Sequence, residues 1–291
     1  MNFKNFIPVL ILLVNSCAFK SNSTIMVNKT ERDYTIHLPN SYSEHNTPYP
    51  ILFVLHGNPS KSWQMKLYTG MNATSDKNEF IVVYPDATDN RWYFLDKEIV
   101  HNELEYFRLL IDDLKQQYNI DASRIYVSGM SGGGIFSLIL TQVFPDEIAA
   151  VCVVAGNMIK LDQFPVPLDN IAMPLMLIHG TSDYIYEGTE SLLSVQETLD
   201  YWIMVNNCNS NPVTTLLPDV NKKDKSFVTT LQYPCKDHND ILFYKIDNGG
   251  HHWPNSKFNA NKFVKRDLGE LNKDFNTNQE IWNFVSRHEV H

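Results

Sequence analysis

The sequence is poor in several features that mark specialised proteins. It has 4 cysteines in 291 residues, and no Cys or His pair has the short spacing of a zinc site. A disulfide-dense scaffold is therefore excluded, and we expect neither a metal nor a cofactor. Basic residues are also scarce, because 24 Lys and Arg stand against 33 Asp and Glu for a net charge of −9. A nucleic acid is a poor partner for such a chain, since phosphates bind positive surfaces.

Apolar runs long enough to cross a bilayer, roughly 20 residues, are also lacking. A shorter run, Ile7–Val14, follows Lys4 near the N-terminus. This layout is typical of a signal peptide, which we place at residues 1–16, and it predicts export.

The signal-like segment ends at Val14-Asn15-Ser16-Cys17, which resembles a bacterial lipobox. Cys17 is therefore the candidate lipidated residue, with cleavage by ordinary signal peptidase as the alternative. Residues 17–30 then form a tether that leads into one catalytic domain at 31–291. We expect a protein held in the bacterial cell envelope by its lipid, or else secreted, with no other membrane contact and no obligate protein partner.

Strand-like and helix-like patterns alternate over the mature chain. Several apolar runs lack the polar alternation of half-exposed strands, as expected for parallel strands buried on both faces. The predicted strands are Tyr34–Leu38, Ile51–Leu55, Phe80–Tyr84, Arg124–Ser128, Ile148–Val154, Leu175–Ile178 and Ile241–Ile246. Helical spacing recurs around residues 104–118, 192–203 and 277–285. The pattern predicts an α/β fold with a mostly parallel central sheet and helices on both faces.

A candidate nucleophile lies in Gly129-Met130-Ser131-Gly132-Gly133, between the strand Arg124–Ser128 and the apolar segment Ile135–Phe144. A sharp turn from strand to helix needs small neighbours on both sides of a strained residue. It would present the Ser131 hydroxyl above the edge of the sheet. An inert serine in a glycine-rich loop is the alternative interpretation.

An α/β-hydrolase has its acid and its histidine after the serine, in that order. The strand Leu175–Ile178 leads to Asp183, and the strand Ile241–Ile246 leads to His251 and His252. Asp183 is thus the candidate acid, with Glu187 as a second choice. Either histidine can be the base on these grounds.

The oxyanion formed in such a reaction is stabilised by backbone N–H groups. One donor should be Gly132, directly after the nucleophile. The other should follow the strand Ile51–Leu55, where Pro59 has no N–H, so Asn58 is preferred over Gly57. His56 precedes the serine, which is the wrong order for the base, and we expect it to brace this loop.

Cys152 lies in an apolar run and is expected to be a buried small hydrophobic residue. Cys208 and Cys235 lie in polar surroundings, 27 residues apart. Because export implies an oxidising compartment, these two cysteines are the expected disulfide.

These segments together resemble the polyhydroxybutyrate depolymerase and feruloyl esterase group of the α/β-hydrolases, which is related to carbohydrate esterase family 1. The matching segments are Leu55-His56-Gly57, Gly129-Met130-Ser131-Gly132-Gly133, His179-Gly180-Thr181-Ser182-Asp183 and Gly249-Gly250-His251-His252-Trp253-Pro254. The last of these is the most specific, and it implies that His251 is the catalytic histidine. The resemblance also supports the pairing of Cys208 with Cys235. Asn58, Asn248 and His252 depart from the residues frequent in the group, which leaves the substrate open.

The resemblance implies an esterase that works through an acyl-enzyme on Ser131, with an ester of plant polysaccharide, feruloyl or acetyl, as the substrate. A polyester such as polyhydroxybutyrate, or its oligomers, is the alternative. Trp92 and Trp253 are the candidate substrate contacts, with packing beneath the loops as the other interpretation. The polar loop 255–273 follows His251 directly and is expected either to form a rim over the cleft or to be solvated. A serine peptidase and a non-catalytic surface module are competing classes.

Overall fold

The computed structural model describes residues 22–45, 47–257 and 269–290. The predicted signal peptide, the candidate lipidated Cys17 and residues 258–268 of the predicted rim loop lie outside the described residues. No helix within the described ranges combines the length and the apolar character that crossing a bilayer requires.

Ten strands of the described chain form one sheet in the order β1-β2-β4-β3-β5-β6-β7-β10-β9-β8. The strands from β4 to β10 in that order run parallel, and an antiparallel pair flanks them on each side. The bounds are β1 Asn22–Val27, β2 Thr30–His37, β3 Tyr49–Leu55, β4 Ile81–Pro85, β5 Ile120–Met130, β6 Ile148–Val154, β7 Leu175–Gly180, β8 Val213–Leu216, β9 Phe227–Tyr233 and β10 Ile241–Asp247.

Helices cover both faces of this sheet, as the sequence predicted. Their bounds are α1 Ser62–Thr69, α2 Asn72–Asn78, α3 Lys97–Gln117, α4 Gly132–Val143, α5 Val195–Val205 and α6 Thr277–Val285. Side chains of α3, α4 and α5 pack into one apolar cluster with alternate residues of β3 such as Phe53. Those of α1 and α6 pack with the intervening residues, such as Leu52, into a second cluster.

The central strands β3, β4, β6 and β7 are buried along their whole length, which explains their continuous apolar sequences. Burying both faces of each strand removes a large apolar area from water. Each Å² of apolar surface buried stabilises the fold by about 25 cal/mol. The parallel direction also brings the carboxyl ends of β3, β5, β7 and β10 to one edge. Functional loops of open α/β sheets lie at that edge.

The periphery of the sheet is more exposed than its centre. The polar stretch 209–225 contains a short strand, β8, in which every residue is exposed. Helix α6 is capped by Asn276, whose side chain accepts from the Gln279 N–H, whereas the Thr277 hydroxyl donates to the Pro254 carbonyl. Cys208 and Cys235 form the expected disulfide, and Cys152 is fully buried in β6.

Candidate active site

Ser131 lies in a sharp turn between β5 and α4. Its backbone has φ 54° and ψ −124°, a conformation that a residue with a side chain adopts at a cost. Two glycines make this turn possible through close backbone approaches. A Cβ on Gly129 would lie 2.4 Å from the Gly133 carbonyl, and one on Gly133 would lie 2.4 Å from the His56 carbonyl. The backbone at Ser131 thus makes the sharp turn from strand to helix that the sequence predicted.

Asp183 and His251 come together because β7 and β10 are parallel neighbours. Each residue follows the carboxyl end of its strand, and His251 Nδ1 lies 2.7 Å from Asp183 Oδ2. Both side chains are almost fully buried. Because a carboxylate accepts hydrogen bonds and cannot donate one, Nδ1 carries the proton and Nε2 remains free to accept.

The alternative candidates, Glu187 for the acid and His252 for the base, lie in different environments. Glu187 is exposed. His252 turns its Nε2 to the Gly269 carbonyl, 3.2 Å away, and burial lowers the pKa of its imidazole. The hydrogen bond to Asp183 thus goes to His251, the histidine that the resemblance implies.

His56 braces the loop after β3. Its Nδ1 donates to the Gly57 carbonyl at 2.8 Å, and its Nε2 accepts from the Ala87 N–H at 3.2 Å. Burial lowers the pKa of this imidazole, which therefore stays neutral at pH 7. The His56 carbonyl in turn accepts from the indole N–H of Trp92. This is the bracing role expected for His56.

Asn58, in the same loop, lies against the turn that contains Ser131. Its side chain donates to the Trp92 carbonyl at 2.9 Å and accepts from the Trp92 N–H at 2.8 Å. A Cβ on Gly132 would lie 2.5 Å from Asn58 Cγ, so the two residues are in close contact. Within the described part of the chain, neither the Asn58 N–H nor the Gly132 N–H has a protein acceptor.

The two predicted substrate contacts are wrong. Trp92 and Trp253 are each 1% exposed. Trp92 stacks on Phe136 in the core, and Trp253 donates its indole N–H to Asn278 Oδ1 at 2.9 Å. Both indoles therefore support the loops from below and do not face the cleft, which was the alternative interpretation of these residues.

A cleft of about 520 Å³ opens above Ser131 and His251. Its other lining residues are Gly57, Asn58, Pro59, Ser60, Gln64, Met65, Tyr68, Met130, Tyr184 and His252. A second cavity of about 550 Å³ lies at the opposite edge of the sheet, beside Ile148 and Pro174, and contains none of the predicted site residues. The predicted site residues Asn58, Ser131 and His251 thus line the cleft at the carboxyl edge.

Several of these lining residues were missed by sequence reasoning. Tyr184 directly follows Asp183, its ring centroid lies 4.8 Å from that of His251, and it lines the cleft together with Ser131. Gln64 and Tyr68 lie on α1, close in sequence to the Asn58 loop. Proximity in the chain to the predicted loops was the available signal for all three residues.

His179 was also not singled out. It is fully buried, its Nδ1 lies 3.6 Å from Asp183 Oδ2, and its Nε2 has no partner among the described residues. Burial lowers the pKa of His179 to about 4, so the ring is neutral at pH 7. Among residues 22–45, 47–257 and 269–290, no three His, Cys, Asp or Glu side chains come together as metal ligands would.

Comparison with known proteins shows that the sequence of this chain is similar to those of esterases. A family model described as phospholipase/carboxylesterase matches residues 87–228, just under half of the chain. The feruloyl esterase D of Neurospora crassa is 24% identical over 278 residues, which are 91% of this chain and 84% of that protein. The bifunctional acetylxylan esterase/xylanase of Neocallimastix patriciarum is 27% identical over 167 residues, 56% of this chain and 23% of that protein.

A solved structure is similar over most of the chain. The acetyl xylan esterase from Aspergillus awamori has a TM-score of 0.59 at 17% identity, covering 84% of this chain and 98% of that one. The predicted fold and the predicted resemblance are thereby confirmed. The chain spans between 23% and 53% of the length of three curated relatives that it matches.

Proposed function

We propose that this chain, an α/β-hydrolase by fold, is an exported serine carboxylic ester hydrolase that works through an acyl-enzyme. The observation that carries the proposal is the 2.7 Å hydrogen bond from His251 Nδ1 to Asp183 Oδ2, in a cleft that Ser131 also lines. A nucleophile in a strained turn, a buried acid and a histidine with its Nε2 available are the parts that acyl transfer requires.

The reaction begins when Ser131 Oγ attacks the ester carbonyl carbon and His251 Nε2 takes the hydroxyl proton. Asp183 holds the imidazole in the required tautomer and stabilises its cation. The tetrahedral intermediate collapses, the C–O bond to the alcohol breaks, and His251 returns its proton to the leaving oxygen. Water then attacks the acyl-enzyme by the same route, which releases the acid and restores Ser131.

The oxyanion is held by the backbone N–H groups of Asn58 and Gly132 in this proposal. Their lack of protein acceptors within the described chain supports the assignment. The clamp between the Asn58 side chain and Trp92 fixes the loop before substrate arrives. Such preorganised donors lower barriers because they need no rearrangement as charge develops, and one donor contributes about 10²–10³ in kcat.

The substrate that we propose is a feruloyl or acetyl ester of plant polysaccharide. The names of the relatives, an acetylxylan esterase/xylanase and a feruloyl esterase, support this class. The open cleft of about 520 Å³ also suits an ester attached to a larger body.

The test is hydrolysis by the purified protein of p-nitrophenyl acetate, methyl ferulate, acetylated xylan and a hydroxybutyrate oligomer. We expect Ser131→Ala to lose at least about 10⁴-fold in kcat/KM, and the exposed Ser210→Ala to match the wild type. Turnover that survives in folded Ser131→Ala would contradict the serine mechanism. Cleavage of peptide amides in place of esters would favour the peptidase.

Export and lipid attachment at Cys17 belong to the same proposal and are supported by the lipobox-like residues 14–17. We expect the wild-type protein in the membrane fraction and in the detergent phase after phase separation. Cys17→Ser should move it to the aqueous phase, since stable anchoring depends on acyl chains. Equal partitioning of both proteins would exclude the anchor.

A further inference from the structure

A second hollow adjoins the cleft above Ser131. It has a volume of about 330 Å³ and shares Pro59, Ser60 and Gln64 with the lining of the cleft. Trp63, in the first turn of α1, also lines it. A ligand whose ester reaches Ser131 can therefore extend along these shared residues to the indole. We call this hollow the Trp63 groove.

Trp63 is 47% exposed, in contrast to Trp92, Trp202 and Trp253, which are each at most 1% exposed. Helix α1 faces the sheet with Ser62, Met65 and Thr69, so the fold does not need Trp63 for packing on that side. Keeping a large aromatic ring in water forgoes the free energy of burial. An exposed indole beside an active-site cleft is therefore a candidate surface for an apolar face of the ligand.

The groove also offers hydrogen-bonding groups around the indole. Lys61 and Asn90 line it, and within the described residues neither side chain has a hydrogen-bond partner. The Ser60 hydroxyl donates to Gln64 Oε1 at 3.2 Å, which leaves the amide N–H groups of Gln64 available. One aromatic face surrounded by several polar groups matches a sugar ring, which has an apolar face and a rim of hydroxyls.

The walls of the groove are fixed in place. The Ser60 N–H donates to the Asn90 carbonyl at 3.2 Å, which ties the two lining loops together. Asp89 and Asn90 lie in the same loop in the left-handed conformation, with φ of 49° and 62°, which Asp and Asn adopt more readily than other residues with side chains.

The charge of the lining is unusual for this protein. The chain has 33 Asp and Glu, yet none of the described residues that line the cleft or the groove is acidic. Lys61 is the charged residue among them. The lining therefore does not repel a neutral or weakly anionic polymer.

We propose that the Trp63 groove is a subsite for the glycan that carries the ester, with a sugar ring stacked on the indole and hydroxyls bound by Lys61, Gln64 and Asn90. This inference rests on the proposed esterase function, since it assigns the groove to the alcohol side of that reaction. The acyl group then occupies the part of the cleft nearest Ser131 and Tyr184.

The test compares specificity ratios, with an acetylated xylo-oligosaccharide against p-nitrophenyl acetate. We expect Trp63→Ala to lower the ratio of the two kcat/KM values by roughly tenfold through a higher KM for the oligosaccharide. Trp63→Phe should retain most of it, because a ring face remains. Met204→Ala is the control, because Met204 lies on α5 and is 67% exposed. This variant should keep the wild-type ratio.

Methyl ferulate separates the two sides of the ester, because it has an aromatic acyl group and no sugar. An equal loss for Trp63→Ala on methyl ferulate and on the oligosaccharide would assign the indole to the acyl group and overturn the inference. An unchanged ratio would overturn it as well.

Binding of xylohexaose to folded Ser131→Ala gives a readout that needs no turnover. We expect quenching of tryptophan fluorescence in this protein, and a Kd measured by calorimetry that rises about tenfold when Trp63→Ala is added. Binding that ignores Trp63 would contradict the subsite. If the wild type binds xylohexaose in a Trp63-dependent way but hydrolyses no ester, the proposed function is refuted and the subsite is not.

Discussion

The contact between Gly132 and Asn58 allows a quantitative test of how the loop that contains Asn58 is held. In Gly132→Ala, the new Cβ would lie 2.5 Å from Asn58 Cγ and from Asn58 Nδ2. Carbon atoms pack at about 3.5–4.0 Å, so the Asn58 side chain must move by about 1 Å. That movement breaks the two hydrogen bonds between the Asn58 side chain and the Trp92 backbone. Trp92 is 1% exposed, so its N–H and carbonyl would be left buried without these partners.

The expected cost follows from those two hydrogen bonds. Leaving a buried polar group without a partner costs about 1–3 kcal/mol, and overpacking costs a similar amount. We therefore expect Gly132→Ala to lower the free energy of unfolding by about 2 kcal/mol. Asn58→Ala should cost about 2 kcal/mol for the same lost partners. The double variant should also cost about 2 kcal/mol, since Asn58→Ala removes the obstacle that Gly132→Ala meets.

Urea unfolding followed by tryptophan fluorescence measures these values, with equal m-values as the condition for comparing them. Gly57→Ala is the matched control, because its new Cβ would meet its nearest neighbours at an ordinary 3.6 Å. It should change the free energy of unfolding by less than about 0.5 kcal/mol. Costs of the single variants that add within about 0.5 kcal/mol in the double variant would refute the reasoning.

Two further predictions concern the buried residues Asp183 and His179. Asp183→Asn should lower kcat on esters by about 10³–10⁴, because an amide in place of the carboxylate favours the wrong tautomer of His251. Glu187→Gln, at an exposed residue, should leave kcat unchanged. Steady-state kinetics that rank the two variants in reverse would exclude Asp183 as the acid. Burial lowers the pKa of His179 to about 4, below its value of about 6.5 in the unfolded chain. The neutral, buried ring therefore contributes to the free energy of unfolding above pH 6.5, and this contribution is lost as the pH falls toward 4. Between pH 7 and pH 4 the wild type should therefore lose up to about 3 kcal/mol more unfolding free energy than His179→Phe, and parallel stability curves would show that His179 is not buried as described.

The central sheet could be predicted from the sequence because its strands are buried on both faces. Continuous apolar runs such as Ile148–Val154 can hardly belong to anything but the interior. The strands missed were β1, β8 and β9 at the sides of the sheet. Residues of β8 are all exposed, so its sequence has no burial pattern to read.

The candidate triad residues could be predicted because each follows a recognisable strand, and parallel strands bring their carboxyl ends to one edge. The direction of a loop side chain, in contrast, depends on packing that a sequence does not display. Trp92 and Trp253 were placed on the correct loops, yet both indoles point into the core, while Tyr184 lies in the cleft beside His251. The Trp63 groove could not be read from the sequence, because it depends on the Asn90 loop, which is distant from Trp63 along the chain.

Covalent labelling tests the central claim, that Ser131 is an activated nucleophile, most directly. A fluorophosphonate reacts with serine hydroxyls that a neighbouring base activates, and the adduct is stable enough for mass spectrometry. We expect one adduct per chain, located on Ser131 by peptide mapping, with none in Ser131→Ala and greatly slowed labelling in His251→Ala. A folded wild-type protein that stays unlabelled, or that carries the adduct on another residue, would contradict the account.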